Sequence, residues 1–250
     1  MRKLLLGSVV AILIAGPAMA ADLPDKAPSL APAPPTWAGF YIGLNVGGIS
    51  SDATWKNPDG IELWFPGSSV TNTATGFIGG GQVGYNWQYG HAVFGLEADM
   101  QYTSLNRTTT IEPGIAGLGG PSPVLNDQVK WLATLRGRSG LAVDNVLIYL
   151  TGGLAAAQTI HTFSIPVNDP DDAFNINKTK VGWTVGVGLE YMLWSNWTVK
   201  SEILYADLGT SSTTFNDIDG SCFFAPASCR FDARDTMWIG RLGVNYKFGG

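Results

Sequence analysis

Four acidic and four basic side chains, Glu97, Asp99, Glu190 and Glu202 against Arg136, Arg138, Lys200 and Arg241, sit in segments otherwise built of apolar and small residues. Gathered together, they could lock one another into a buried salt-bridge network, or they could line a wet passage and select ions. Nucleophilic chemistry needs a base beside the nucleophile. The two histidines are His91 and His161, and His161, near Ser164, is the better placed, with no acid at a convincing position to complete a lipid-acyl site. The stretch Gly79-Gly80-Gly81-Gln82-Val83-Gly84 fits G-x-G-x-x-G, yet a dinucleotide site requires a strand ending there and a helix beginning there, and neither neighbour fits. Asp169, Asp171, Asp172, Asp217 and Asp219 lack the spacing of a calcium loop and read as solvated surface. No metal site or resident cofactor is expected.

The charges acquire meaning from the elements that carry them. In residues 241–248, Leu242, Val244, Tyr246 and Phe248 alternate with Arg241, Gly243, Asn245 and Lys247, which is the period of a strand with one apolar and one polar face. Seven earlier segments repeat the pattern. Phe40, Ile42, Leu44 and Val46 oppose Tyr41, Gly43, Asn45 and Gly47; Phe77, Val83, Tyr85 and Trp87 oppose Ile78, Gln82 and Asn86; Phe94, Leu96, Ala98, Met100 and Tyr102 oppose Glu97, Asp99 and Gln101. In the fourth segment Val129, Trp131, Ala133 and Leu135 are set against Lys130, Thr134, Arg136 and Arg138. Residues 147–160 are nearly all apolar or small, with Ile148, Leu150 and Leu154 assigned outward; the sixth and seventh segments put Glu190, Lys200 and Glu202 opposite outward apolar residues.

Connections alternate in length. Short ones fall at residues 88–91, 144–145 and 193–196, long ones at 49–75, 104–127, 161–178 and 210–234. Ten aromatics on the apolar face sort into two belts: Trp87, Tyr191, Trp197, Tyr246 and Phe248 at one end, Tyr102, Trp131, Trp183, Tyr205 and Trp238 at the other. Two belts flanking an apolar band match the two interfaces of a bilayer. The expected fold is therefore an all-β, eight-stranded antiparallel transmembrane β-barrel with short periplasmic turns and long external loops. A soluble lipocalin-like barrel would turn its apolar face inward, and the aromatic sorting argues against it.

The N-terminus supports export. Arg2 and Lys3 precede an apolar run and Ala18-Met19-Ala20, predicting a signal peptide over residues 1–20 cleaved between Ala20 and Ala21. Its removal takes the formal net charge from −5 to −7, an acidic balance that excludes nucleic-acid partners. Residues 21–36 are Pro-rich and read as a periplasmic linker, leaving 37–250 as the barrel domain. Charged residues make up 14% of the chain, below the usual ~25% of soluble domains. Cys222 and Cys229, close together in an exported chain, are expected to form a disulfide that staples the last external loop.

Specific motifs carry a resemblance. Asp22-Leu23-Pro24, Trp37-Ala38-Gly39-Phe40-Tyr41-Ile42-Gly43-Leu44-Asn45-Val46-Gly47-Gly48, Leu135-Arg136-Gly137-Arg138, Gly186-Val187-Gly188-Leu189-Glu190-Tyr191, Asp207-Leu208-Gly209 and Gly243-Val244-Asn245-Tyr246-Lys247-Phe248 resemble the alphaproteobacterial outer-membrane immunogenic proteins, small opacity-like barrels of the porin family. The resemblance spans the chain and implies an outer-membrane surface antigen serving envelope integrity and host or environmental contact at its outer loops. Its surroundings would be outer-membrane lipid and lipopolysaccharide. It also implies that the barrel-assembly machinery reads Tyr246 and Phe248 in the last strand, although this chain continues past the usual final aromatic with Gly249-Gly250. Some members are porins or haemin binders, which leaves open small-solute diffusion through the lumen and a haemin ligand role for His161. The structural reading of the eight charges is a plug, because eight strands enclose only enough space for side chains. No enzymatic activity is expected.

Overall fold

The computed structural model describes residues 36–57, 68–110, 124–164, 173–216 and 228–248. The expected signal peptide with its Ala20-Ala21 junction, most of the linker, Cys222 and Gly249-Gly250 lie outside the described residues. So do the Cys229 and His161 side chains, and with them the expected disulfide and the candidate haemin ligand. Eight strands follow in chain order: β1 Gly39–Asn57, β2 Ser68–Tyr89, β3 Ala92–Thr110, β4 Val124–Val143, β5 Val146–Ser164, β6 Ala173–Trp194, β7 Trp197–Asn216 and β8 Ser228–Phe248. Each pairs antiparallel with its neighbours, and β1 pairs with β8 from Phe40↔Phe248 to Lys56↔Asp232, closing the barrel. Closure satisfies every strand edge, as a hydrocarbon environment demands.

The alternation holds around the ring. Leu44, Phe77, Leu96, Leu135, Leu150, Val187, Ile203 and Leu242 are exposed on the outer face, while Asn45, Gln82, Glu97, Arg136, Glu190, Glu202 and Arg241 are buried within. Aromatic contacts knit the two belts across strands: Trp197 meets Tyr246 at 5.1 Å and Phe40 meets Phe248 at 5.7 Å at the periplasmic end, while Tyr205 lies 5.5 Å from Trp183 and 5.0 Å from Trp238 at the outer end. The periplasmic turns are tight. In the β2–β3 and β4–β5 turns Gly90 (φ 60°) and Asp144 (φ 52°) take the left-handed conformation favoured in two-residue hairpins, suiting glycine and the short polar Asp.

Two expectations need correction. The strands run 19–22 residues, about twice the 9–11 needed to cross a bilayer, so much of what the sequence suggested as external loop continues as barrel wall. Ser50, Ser51, Asp52, Thr71, Asn72 and Thr73 form such a polar continuation, paired Ser50↔Thr75 through Thr54↔Thr71. Beyond the membrane the outer face meets water, so the apolar alternation that marks a strand is lost while the hydrogen-bonded ladder persists. Between these strands, residues 58–67, 111–123, 165–172 and 217–227 lie outside the described residues.

The second correction concerns Val129 and Lys130, whose faces are exchanged. The register shifts between Val129 and Trp131, so that Val129 points inward and is buried while Lys130 is exposed. A β-bulge adds one residue and flips the parity of everything before it. Asp127 is likewise carried to the inner face.

Candidate functional site in the barrel lumen

The inner face is layered along the barrel axis. Nearest the periplasm, Trp37, Val93, Ala142, Leu147, Tyr149 and Met192 form an apolar layer. Above it lie the charges. A second, larger apolar layer follows, with Leu132, Leu204, Met237 and Ile239 almost fully buried together with Ile49, Ile78 and Leu105. Closest to the outside, Lys180 Nζ meets Asp235 Oδ2 at 2.7 Å, and Asn72 Nδ2 donates to Asp127 Oδ2 at 3.2 Å. A small cleft of about 10 Å³ opens beside this outer pair, lined among others by Ser51, Asn72, Arg107, Asp127 and Asp235.

The charge layer gathers all eight side chains singled out in the sequence. Arg136 reaches three carboxylates, Glu97 at 2.5 Å, Asp99 at 2.8 Å and Glu202 at 3.5 Å. Arg241 contacts Glu202 at 2.6 Å, Asp99 at 3.1 Å and Glu97 at 3.4 Å. Lys200 bridges Glu97 at 2.8 Å and Glu202 at 3.3 Å, and Arg138 joins Glu190 at 2.6 Å and Glu97 at 3.7 Å. Four cations thus balance four anions, and every one is buried. Burying ions is costly unless each is paired and its remaining hydrogen-bonding capacity filled. Neutral neighbours fill most of it, although Arg138 Nε and Arg241 Nη1 find no acceptor among the described residues. Tyr41 Oη donates to Glu97 at 2.7 Å, Tyr149 Oη to Glu202 at 2.7 Å, Thr134 Oγ1 to Asp99 at 2.7 Å and Asn245 Nδ2 to Glu190 at 2.8 Å. Thr198 also donates to Glu190, and Gln82 links Asn245 to Asn45. The Arg138 guanidinium lies 3.9 Å from the Tyr149 ring centroid, a cation–π contact inside the same network.

These neutral partners were harder to find from sequence than the charges. Tyr41 does carry a sign, because it is an aromatic on the polar face of β1 beside the lipid-facing Phe40. Tyr149 sits in the nearly uniform β5 and gives no such sign. Both need space opposite. An atom added at Gly84 Cα would run into the Tyr41 ring and lie 2.7 Å from Leu96 O, and one added at Gly188 would run into Tyr149. Packing room for Tyr41 therefore accounts for the last glycine of the G-x-G-x-x-G match. Gly84→Ala is expected to destabilise the barrel by about 1–3 kcal/mol by overpacking. The same change in a Tyr41→Ala background should cost clearly less; equal costs in the two backgrounds, measured by urea unfolding in detergent micelles, would show that the ring is not what Gly84 accommodates.

The histidines stand apart. His91 belongs to the β2–β3 turn, where its Nδ1 is 3.0 Å from Ala142 O, far from any nucleophile named above. His161 occupies an outer position in β5, with Asp127 and Ile176 as backbone partners. Among the described residues no group of His, Cys, Asp and Glu is arranged to hold a metal ion.

A closed antiparallel barrel with a lipid-ready exterior is matched by one family model, that of the outer membrane protein beta-barrel domain, over residues 8–231. The chain belongs to this family. Similar proteins agree along most or all of the chain. The 31 kDa outer-membrane immunogenic protein of Brucella melitensis is 37% identical over 262 residues, covering 99% of this chain and 100% of that protein. The 22 kDa outer membrane protein of Rhizobium leguminosarum is 30% identical over 219 residues, covering 85% of this chain and 79% of that one. Among solved structures, the outer membrane protein OprG of Pseudomonas aeruginosa is 13% identical with a TM-score of 0.49, covering 85% of this chain and 97% of OprG, too distant to speak to activity. The protein is an outer-membrane β-barrel of the immunogenic surface-protein family, and its location is the bacterial outer membrane.

Proposed function

We propose that this family member is a closed, non-conducting and non-enzymatic barrel, anchored in outer-membrane lipid and lipopolysaccharide, that contributes to envelope integrity and presents its external loops to a host or environmental partner. The observation that carries the reading is the balanced eight-charge network, buried between two apolar layers. A conducting lumen needs a continuous wet path, whereas an apolar layer above and below the ions leaves them to one another and to the neutral side chains that bond them. The relatives' description as immunogenic outer-membrane proteins supports surface exposure of the loops. Deleting the gene in its native host tests the proposal. Sensitivity to detergent is expected to rise several-fold while uptake of small sugars and amino acids is unchanged. A fall in solute uptake with no change in detergent sensitivity would favour a porin instead.

A further inference from the structure

The periplasmic mouth is closed by a residue that precedes the barrel. Trp37 lies before β1, yet it is 2% exposed and packs with Val93, Ala142, Leu147, Tyr149 and Met192, from strands β3 to β6. The chain reaches that seat through Gly39, whose φ of 129° lies where residues with a Cβ are strained, so a glycine at this point lets the backbone turn back on entering β1. Two polar contacts hold the approach. Trp37 N donates to Gln88 Oε1 at 2.6 Å, and the Lys247 ammonium donates to Thr36 O, tying the segment to the β2 end and to the last strand. The seat is imperfect, because no hydrogen-bond acceptor among the described residues reaches the buried indole Nε1. An unsatisfied buried donor lowers the cost of leaving.

We propose that Thr36-Trp37 is a releasable stopper: loosening its ties to Gln88 and Lys247 lets the Trp37 indole withdraw and opens the periplasmic end of the charge network to water. This inference rests on the closed-lumen reading and adds to it a switch on the periplasmic side. Tyr149 belongs both to the layer Trp37 seals and, through Glu202, to the ionic network, so the stopper abuts the charges directly. Withdrawal would hydrate the lower half while the outer apolar layer, from Ile49 to Ile239, stays in place.

The test places a reporter thiol at the seat. In a chain carrying Cys222→Ser and Cys229→Ser, Ala142→Cys is introduced and its reaction with a charged, membrane-impermeant thiol reagent is timed on the refolded protein in detergent micelles. With Trp37 present, modification should be slow; in Trp37→Ala it should accelerate by roughly tenfold or more, since access follows the free energy of local opening. Lys247→Met and Gln88→Ala, which keep the indole but loosen its tether, should accelerate the reaction by several-fold. Retention of the compact, heat-modifiable gel band shows that each variant is folded. Rates unchanged in folded Trp37→Ala, or already fast with Trp37 in place, would overturn the stopper. Channel conductance by the unaltered protein would overturn the closed-lumen reading instead, so the two failures are distinguishable.

Discussion

Arg136→Ala is expected to destabilise the barrel by about 3–5 kcal/mol, the range for breaking a buried ion pair by removing one partner. Arg136 has no exposed side-chain surface and contacts Glu97, Asp99 and Glu202 at 2.5, 2.8 and 3.5 Å. Its loss leaves Lys200, Arg138 and Arg241 to balance four carboxylates in a buried space flanked by apolar layers. Two routes of relief are open: a carboxylate takes up a proton, or water enters. Adding Glu202→Gln should therefore recover part of the loss at neutral pH, because the double variant restores three anions to three cations. Urea unfolding in detergent micelles, followed by the gel shift of the heat-modifiable band, measures both. A loss below about 1 kcal/mol, the level of an exposed pair, would mean that water already solvates the network.

The neighbouring position predicts the opposite chemistry. Leu242→Arg should cost about 2–4 kcal/mol, the range for a cation on the lipid face near the bilayer midplane. Leu242 is 64% exposed, paired with Val46 and Ser201, and lies between the aromatic belts marked on β8 by Trp238 and Tyr246. Arg241, one residue away, is 3% exposed and bound to Glu202 and Asp99. Membrane and lumen thus impose contrary demands on adjacent residues. Lys130 shows where the penalty ends: it faces outward without breaking the apolar band because the bulge places it beside Trp131 at the outer belt. Adding a second cation at Thr54, on the polar continuation of β1, should accordingly cost little. Unfolding of the variants in lipid vesicles checks the contrast, and equal costs at positions 54 and 242 would sink the depth assignment.

What was legible in the sequence was whatever a period of two can encode. Glu97, Arg136, Glu202 and Arg241 were put on the inner face by parity alone, and the structure gathers them into one network. Parity fails where the register changes, as at Val129 and Lys130, because a bulge is a property of the pairing between strands and leaves no fixed mark in either one. It also falls silent outside the hydrocarbon, where Ser51 and Thr73 remain in the ladder with no apolar partner face to reveal it. Parity says nothing of where Trp37 packs, because its seat is assembled from β3 to β6, far away along the chain. The layering of the lumen was equally hidden. The sequence orders residues within a strand, but the height at which Leu132, Leu204 and Ile239 meet depends on the stagger of all eight strands.

Single-channel conductance of refolded residues 21–250 in a planar bilayer tests the central claim most directly. With insertion verified by protease protection, the buried and balanced network between two apolar layers predicts silence from the unaltered protein. Stable, ion-selective steps from the unaltered protein would contradict the account and turn the same eight charges into the lining of a pore.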